Sequence, residues 1–434
     1  MAAARPVRIR MYNVGFGDCF LLTVPAPRRD VRILIDCGTH PSSTGPRRAA
    51  RDAVPDLIDH LSEGGVRPRL DVVVATHRHK DHVSGFESPR WAEVEVGEVW
   101  LPWTEDPRDP EAKRILDRQA RTKLALDDAR TLLPQRDADA PKPGRGVALF
   151  GLASALMANF ELTNEVAMTT LHQGFKGGPE RRYLDARKEP FASDFTPGMT
   201  VHVLGPSRDE DVIRDLDPPR AESWRHLVEI VKARNEQRTD VRRPFDDNWS
   251  APEAEFARVP EFSHLRLNRQ VVGSIRRLMG DELVFAAAAL EKAVNGTSIV
   301  LAFEIGDLVL LFPGDAQWGT WKAILADKEW RRLIERATFY KIGHHGSHNA
   351  TPKSFVDDVI SRKGWAALPF AQVDIWKSIP EEKLLASLTE HDLQIVRSDA
   401  PGPSVPPSVI VNGDVSVDFV FAQPRRRARA ATPA

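Results

Sequence analysis

Residues Thr76-His77-Arg78-His79-Lys80-Asp81-His82 place three histidines and one aspartate within six positions, His77 to His82. Neutral imidazole nitrogens and carboxylate oxygens are ligands for divalent metals. A lone histidine is most often a packed or solvated side chain. Four donor-type residues this close together are not explained by packing, so the spacing predicts a metal-binding loop. More donors occur far along the chain, each after an apolar run: Asp36, Asp315, and the pair His344 and His345. Ligands carried on loops at strand ends suit an enzymatic centre, because a rigid scaffold fixes such loops.

The elements that must position these residues are short strands. The run Leu70-Asp71-Val72-Val73-Val74-Ala75 reads as a buried strand feeding the histidine loop. Upstream, residues 7–12, 19–24 and 31–36 form a meander, the third strand ending on Asp36. A helix over 49–63 is stopped by Gly64-Gly65. Downstream come strands over 94–101, 201–206, 298–304, 308–312 and 339–342, then a helix over 381–391, a strand over 393–396 and a final hairpin over 408–421. One helix is expected over 318–337. The Gly15-x-Gly17 turn has no helix directly after it, which excludes a dinucleotide-binding reading. Two stretches, 102–199 and 207–294, break the pattern with helical or irregular, polar sequence, including helices at 107–133, 147–163, 224–235 and 283–293 and polar segments at 137–146 and 239–255. They read as insertions into one α/β domain spanning 1–423, with its core at 7–101, 200–206 and 295–421. Residues 424–434 read as a basic, disordered tail.

The chain has 434 residues and a net charge of −1, so overall charge points neither to nucleic acid nor to an acidic partner. The two cysteines, Cys19 and Cys37, read as small buried hydrophobes and suit a reducing compartment. With no apolar signal core and no run long enough to span a bilayer, the expectation is a cytoplasmic protein without a membrane segment.

With these pieces in order, the chain resembles the metallo-β-lactamase superfamily. The motif His77-x-His79-x-Asp81-His82 carries the resemblance. The nearer similarity is to the ComEC-like branch, the hydrolase domain of DNA-uptake competence proteins and their stand-alone relatives. It rests on Val14-Gly15-Phe16-Gly17-Asp18-Cys19, Leu34-Ile35-Asp36-Cys37-Gly38, Val203-Leu204-Gly205-Pro206, Pro313-Gly314-Asp315 and Lys341-Ile342-Gly343-His344-His345-Gly346-Ser347. The resemblance implies an αββα sandwich, outside which the two insertions fall. It implies one metal held by His77 and His79, a second by Asp81, His82 and one of His344 and His345, and Asp315 bridging both. Asp36 would orient the histidine loop. The histidine that most of the superfamily carries ahead of the bridging aspartate is absent, and Asn295 or Ser298 occupies that region. His172, His202 and His264 read as scattered surface histidines rather than substitutes.

Nitrogen and oxygen donors without sulfur suit Zn²⁺, two ions being expected, with Mn²⁺ as the alternative. The implied activity is hydrolysis by a metal-bound hydroxide, with Asp81 also orienting the hydroxide. Lys341, Ser347 and His348 flank the last ligands and are placed to bind phosphate or protonate a leaving oxygen. The expected substrate is a phosphodiester, DNA among the candidates. The same core serves lactam, lactone and thioester hydrolases, and the insertions also suit a non-catalytic partner in a multi-protein system.

Overall fold

The computed structural model describes residues 5–43, 49–131, 164–219, 221–224, 286–360, 363–373, 376 and 378–422. The expected helix over 147–163, all but the first residue of the one expected over 224–235, both polar segments, His264 and the tail lie outside these residues.

The chain is mixed α/β, with two mixed sheets. The first contains β1 (Val7–Tyr12), β2 (Cys19–Val24), β3 (Val31–Cys37), β4 (Arg69–Val74), β5 (Glu95–Pro102), β6 (Glu180–Leu184), β13 (Val409–Asn412) and β14 (Ser416–Phe421), in the order β13-β14-β1-β2-β3-β4-β5-β6. The second contains β7 (Thr200–Gly205), β8 (Val300–Ile305), β9 (Leu308–Phe312), β10 (Phe339–Lys341), β11 (Gly364–Leu368) and β12 (Leu393–Arg397), in the order β12-β11-β10-β9-β8-β7. The meander β1-β2-β3 is antiparallel, and β3 to β6 run parallel. In the second sheet β7-β8-β9 is antiparallel and β9 to β12 run parallel.

Side-chain alternation decides the layers. Along β4, Val72 and Val74 enter the core between the sheets, while Val73 faces a second core that includes Val54, Leu57 and Ile58 of helix α1 (Ala50–Leu61). Along β8, Leu301 and Phe303 face the central core, while Val300 and Ala302 face a third. These strands are buried on both faces, which is why they read as near-continuous apolar runs. Phe303, Phe312, Phe339 and Phe419 form a chain of ring contacts at 5.9, 5.3 and 5.2 Å, whose last step crosses from β10 to β14. Each such pair adds about 0.5–1.5 kcal/mol beyond simple burial.

The other α-helices among the described residues are α2 (Lys80–Val83), α3 (Pro110–Thr131), α4 (Glu165–Thr169), α5 (Glu210–Arg214), α6 (286–295), α7 (Trp318–Ala326), α8 (Lys328–Ile334) and α9 (Glu382–Glu390). The single helix expected over 318–337 is two. Asp327 leaves helical geometry, and its side chain accepts the N–H groups of Glu329 and Trp330, capping α8. The stretch 102–199 is also not wholly helical or irregular, because β6 extends the first sheet beside β5. Among the described residues no helix is long and apolar enough to cross a membrane.

Candidate metal centre

The donor residues meet where β3, β4, β9 and β10 end and just ahead of β8. A backbone bond from Ile299 N to Thr76 O, 2.9 Å long, joins the two sheets beside them. The histidine loop is also seated on glycine. A Cβ on Gly38 would lie 2.3 Å from His82 N, and one on Gly17 would lie 2.2 Å from Gly38 O, so only glycine fits at either position. The close approach lets Asp18 N donate to Asp81 O and Gly38 N to Asp18 O, both at 2.9 Å.

Ligand-type atoms of His77, His79 and Asp81 lie within 4.8 Å of one another, as do those of Asp81, His82, Asp315 and His345. Asp81 is common to the two groups, and all six residues are buried. Their orientations are set from behind. Asp36, held at φ 55°, accepts Thr76 N–H and the Thr76 hydroxyl at 2.7 Å each and faces His82 Nδ1 at 2.8 Å. That bond turns His82 Nε2 toward Asp315 Oδ2, 3.1 Å away. Because the Thr76 proton goes to Asp36, its oxygen accepts from His77 Nδ1 at 3.1 Å, and Ser298 Oγ lies 3.2 Å from the same nitrogen. His77 Nε2 then meets His79 Nδ1 at 3.0 Å. His345 Nδ1 donates to Pro369 O at 2.9 Å, leaving Nε2 to face Asp81 Oδ2 at 3.2 Å.

This donor set fits divalent metal. A ring nitrogen lone pair facing a carboxylate oxygen is repulsive unless a proton or a cation lies between them. The electrostatics agree. Burial, helped by the neighbouring His82, holds His77 well below the usual imidazole range, and burial lowers His79 as well, so both present neutral nitrogens. For His82, burial opposes charge, but Asp315, Asp36 and Asp81 outweigh it and hold the ring well above its ordinary value. Burial would raise the Asp81 and Asp315 carboxyls; His82 with the His345 hydrogen bond at Asp81, and His82 with Lys341 at Asp315, hold both well below the carboxylate range. The excess of buried carboxylate charge that draws a proton onto His82 is equally satisfied by a divalent cation.

The structure separates the two adjacent histidines. His345 joins the ligand group. His344, at φ 45°, directs Nε2 to Glu291 Oε1 at 3.1 Å, while its backbone N–H donates to Asp315 Oδ1 at 2.9 Å. Burial disfavours charge on His344, but Glu291 and Asp315 raise it to about 9. His344 thus stands beside the ligand cluster, not in it.

Lys341 is not open to a substrate phosphate. Its Nζ lies 2.5 Å from Asp18 Oδ2, 3.2 Å from Asp315 Oδ1 and 3.2 Å from Gly314 O, which uses all three ammonium protons inside the fold. Burial opposes its charge, and Asp18 and Asp315 more than restore it. Ser347 is also turned inward: its hydroxyl donates to Asn349 Oδ1, Asn349 donates to Gln317 Oε1, and Gln317 donates to Asp315 O. This chain braces the turn that carries Asp315. His348 is half-buried, belongs to neither ligand group, and accepts Trp224 N–H on its carbonyl at 3.3 Å. Asn295 donates to Glu291 Oε1 at 2.8 Å, and Ser298 Oγ accepts Asp315 N–H at 3.2 Å. His172 lies against Tyr183 and His202 against Glu304, neither in a ligand group.

Two residues of the centre escape sequence reasoning. Asp18 was legible only as part of a glycine turn; its bond to Lys341 crosses between the sheets. Glu291 reads as an ordinary helix charge, yet it is buried and holds both Asn295 and His344. No protein-family model matches the chain, and no curated protein matches it.

Proposed function

We propose that this protein is a metal-dependent hydrolase of the metallo-β-lactamase fold, acting on phosphodiester bonds of a nucleic acid or nucleotide. The observation that carries this reading is the buried convergence of His77, His79, Asp81, His82, Asp315 and His345 from both sheets. Helices outside two facing sheets, with the donors at their common edge, support the fold assignment. The ComEC-like order of motifs supports the phosphodiester.

Zn²⁺ suits the donors, with Mn²⁺ as the alternative. When bound, such ions supply Lewis acidity and shift the ionisation of water toward neutral pH. The chain's own residues fix the rest. Asp36 and the Pro369 carbonyl set the tautomers of His82 and His345. Thr76 and Ser298 set that of His77. Lys341 offsets part of the charge on Asp315, and the Ser347-Asn349-Gln317 chain holds its turn.

The test is hydrolysis of bis-p-nitrophenyl phosphate with added Zn²⁺ or Mn²⁺, with lactam, lactone and thioester substrates in parallel. Chelation, His79→Ala and Asp315→Ala should each abolish phosphodiester cleavage. Cleavage surviving both substitutions would overturn the metal mechanism. Preferential cleavage of a carbonyl substrate would overturn the substrate class.

A further inference from the structure

Behind the histidine loop lies a cavity of about 830 Å³, whose lining includes Arg78, Asn164, Met168, His172, Arg181 and Tyr183. That volume falls in the roughly 300–1,000 Å³ range of small-molecule sites. None of its lining residues belongs to the metal-ligand groups. The chain alternates here: His77 and His79 point into the centre, while Arg78 between them lines the cavity. Arg78 is itself neutralised, its guanidinium forked onto Glu105 at 2.8 and 2.7 Å.

Arg181 is not neutralised. Its Nε and Nη1 donate to the carbonyls of Leu171 and Pro179, at 3.2 and 2.5 Å, and Nη2 is buried with no hydrogen-bond partner. Among the described residues no carboxylate pairs with it. A guanidinium fixed by two neutral carbonyls, with a donor left over, is organised for an incoming oxyanion. Asn164 supplies the complementary vacancy. Its amide nitrogen donates to Arg78 O at 2.6 Å, which fixes the flip, and its Oδ1 is buried with no partner. An unsatisfied acceptor calls for a donor. Glu165 and Glu180, the lining carboxylates, are exposed, where solvent screens them. His172 and Tyr183, 3.2 Å apart at Nδ1 and Oη, and Met168 add an amphipathic wall.

We infer that this cavity is a separate binding site for a small phosphate ester bearing hydroxyl groups, of mononucleotide size, with the phosphate on Arg181 and a hydroxyl on Asn164 Oδ1. Phosphate supplies the oxyanion, and a sugar supplies the hydroxyl donor. The site shares the peptide of Arg78 with the metal loop, so a ligand there touches the segment that carries His77 and His79. The inference does not depend on hydrolysis at the centre.

The experiment is calorimetric titration of the full chain with adenosine 5′-monophosphate, ribose 5-phosphate, inorganic phosphate and adenosine, all in excess EDTA so that no metal holds the phosphate. The two phosphate esters should bind saturably with one site per chain, and adenosine should bind at least tenfold more weakly. Arg181→Gln should weaken the esters at least tenfold. Thr169→Trp, an exposed lining position that leaves Arg181 untouched, should also block binding, which covers the case in which Arg181→Gln does not fold. Absence of saturable ester binding to the folded wild type overturns the inference. So does adenosine binding as well as its phosphate, or ester binding unchanged in folded Arg181→Gln or Thr169→Trp. Because metal is absent throughout, failure here is distinct from failure of phosphodiester hydrolysis.

Discussion

Lys341 Nζ sits 2.5 Å from Asp18 Oδ2, with each side chain only 2 % exposed. The pair joins the strand that leads to His345 with the turn that seats the histidine loop. Removing one partner of a buried pair leaves an uncompensated charge, which costs about 3–5 kcal/mol. Lys341→Met should therefore lower the urea unfolding free energy by about that amount, since both Asp18 and Asp315 lose their cation. The double variant Lys341→Met/Asp18→Leu should be more stable than Lys341→Met alone. A loss below about 1 kcal/mol in the single variant would place the pair among weak surface-type bridges.

Asp36 accepts three bonds from behind the ligands. Asn tolerates the left-handed backbone that Asp36 adopts, so Asp36→Asn should fold. It should weaken metal binding about 10- to 100-fold, the usual cost of losing a partner behind a metal-ligating histidine. Competition with a chromogenic chelator measures this; unchanged affinity would remove Asp36 from the centre's support.

The neighbours His344 and His345 should behave differently. His345→Ala should lose bound metal, measured by elemental analysis after desalting. His344→Ala should keep its metal content, because that ring is turned to Glu291. Equal metal loss in both would contradict the separation seen here.

Away from the centre, Glu304 accepts bonds from Arg336 at 3.0 Å and lies 3.2 Å from His202. Burial would raise the Glu304 carboxyl, but Arg336 and His202 outweigh it and hold it below the ordinary value of 4.5. A carboxyl depressed in the folded state stabilises the fold above its unfolded value, and that stability is lost as pH falls through the folded value. Wild-type melting temperature should therefore drop as pH falls below 4.5, and Glu304→Gln should show a shallower drop over the same window. Parallel curves for the two proteins would dismiss this carboxylate as a contributor to acid unfolding.

The strands that carry the centre were legible because β4, β8 and β9 are buried on both faces and print as apolar runs. The candidate ligands were legible because each follows such a run directly. What remained hidden depends on partners far away in sequence. Nothing local distinguishes His344 from His345; the choice is made by consecutive left-handed backbone angles and by Glu291, over fifty positions upstream. Lys341 looked available because a lysine next to a metal loop usually reaches solvent, and only its contact with Asp18 shows otherwise. The break at Asp327 was written in a capping residue that helical periodicity alone overlooks. Strand β6 is short, charged and flanked by polar sequence, so only its pairing with β5 identifies it.

The bond between Ile299 and Thr76 has a mechanical meaning. It latches the two sheets together at the corner where their ligands meet, so the sheets cannot part there like jaws without breaking it. On the side of His345 the neighbours are loop residues. On that side Phe16 packs 4.0 Å from the ring of His345, and Trp376 lies 5.3 Å from Phe16 and 4.7 Å from His40. That side of the centre is thus walled by aromatic rings packed on a fixed frame.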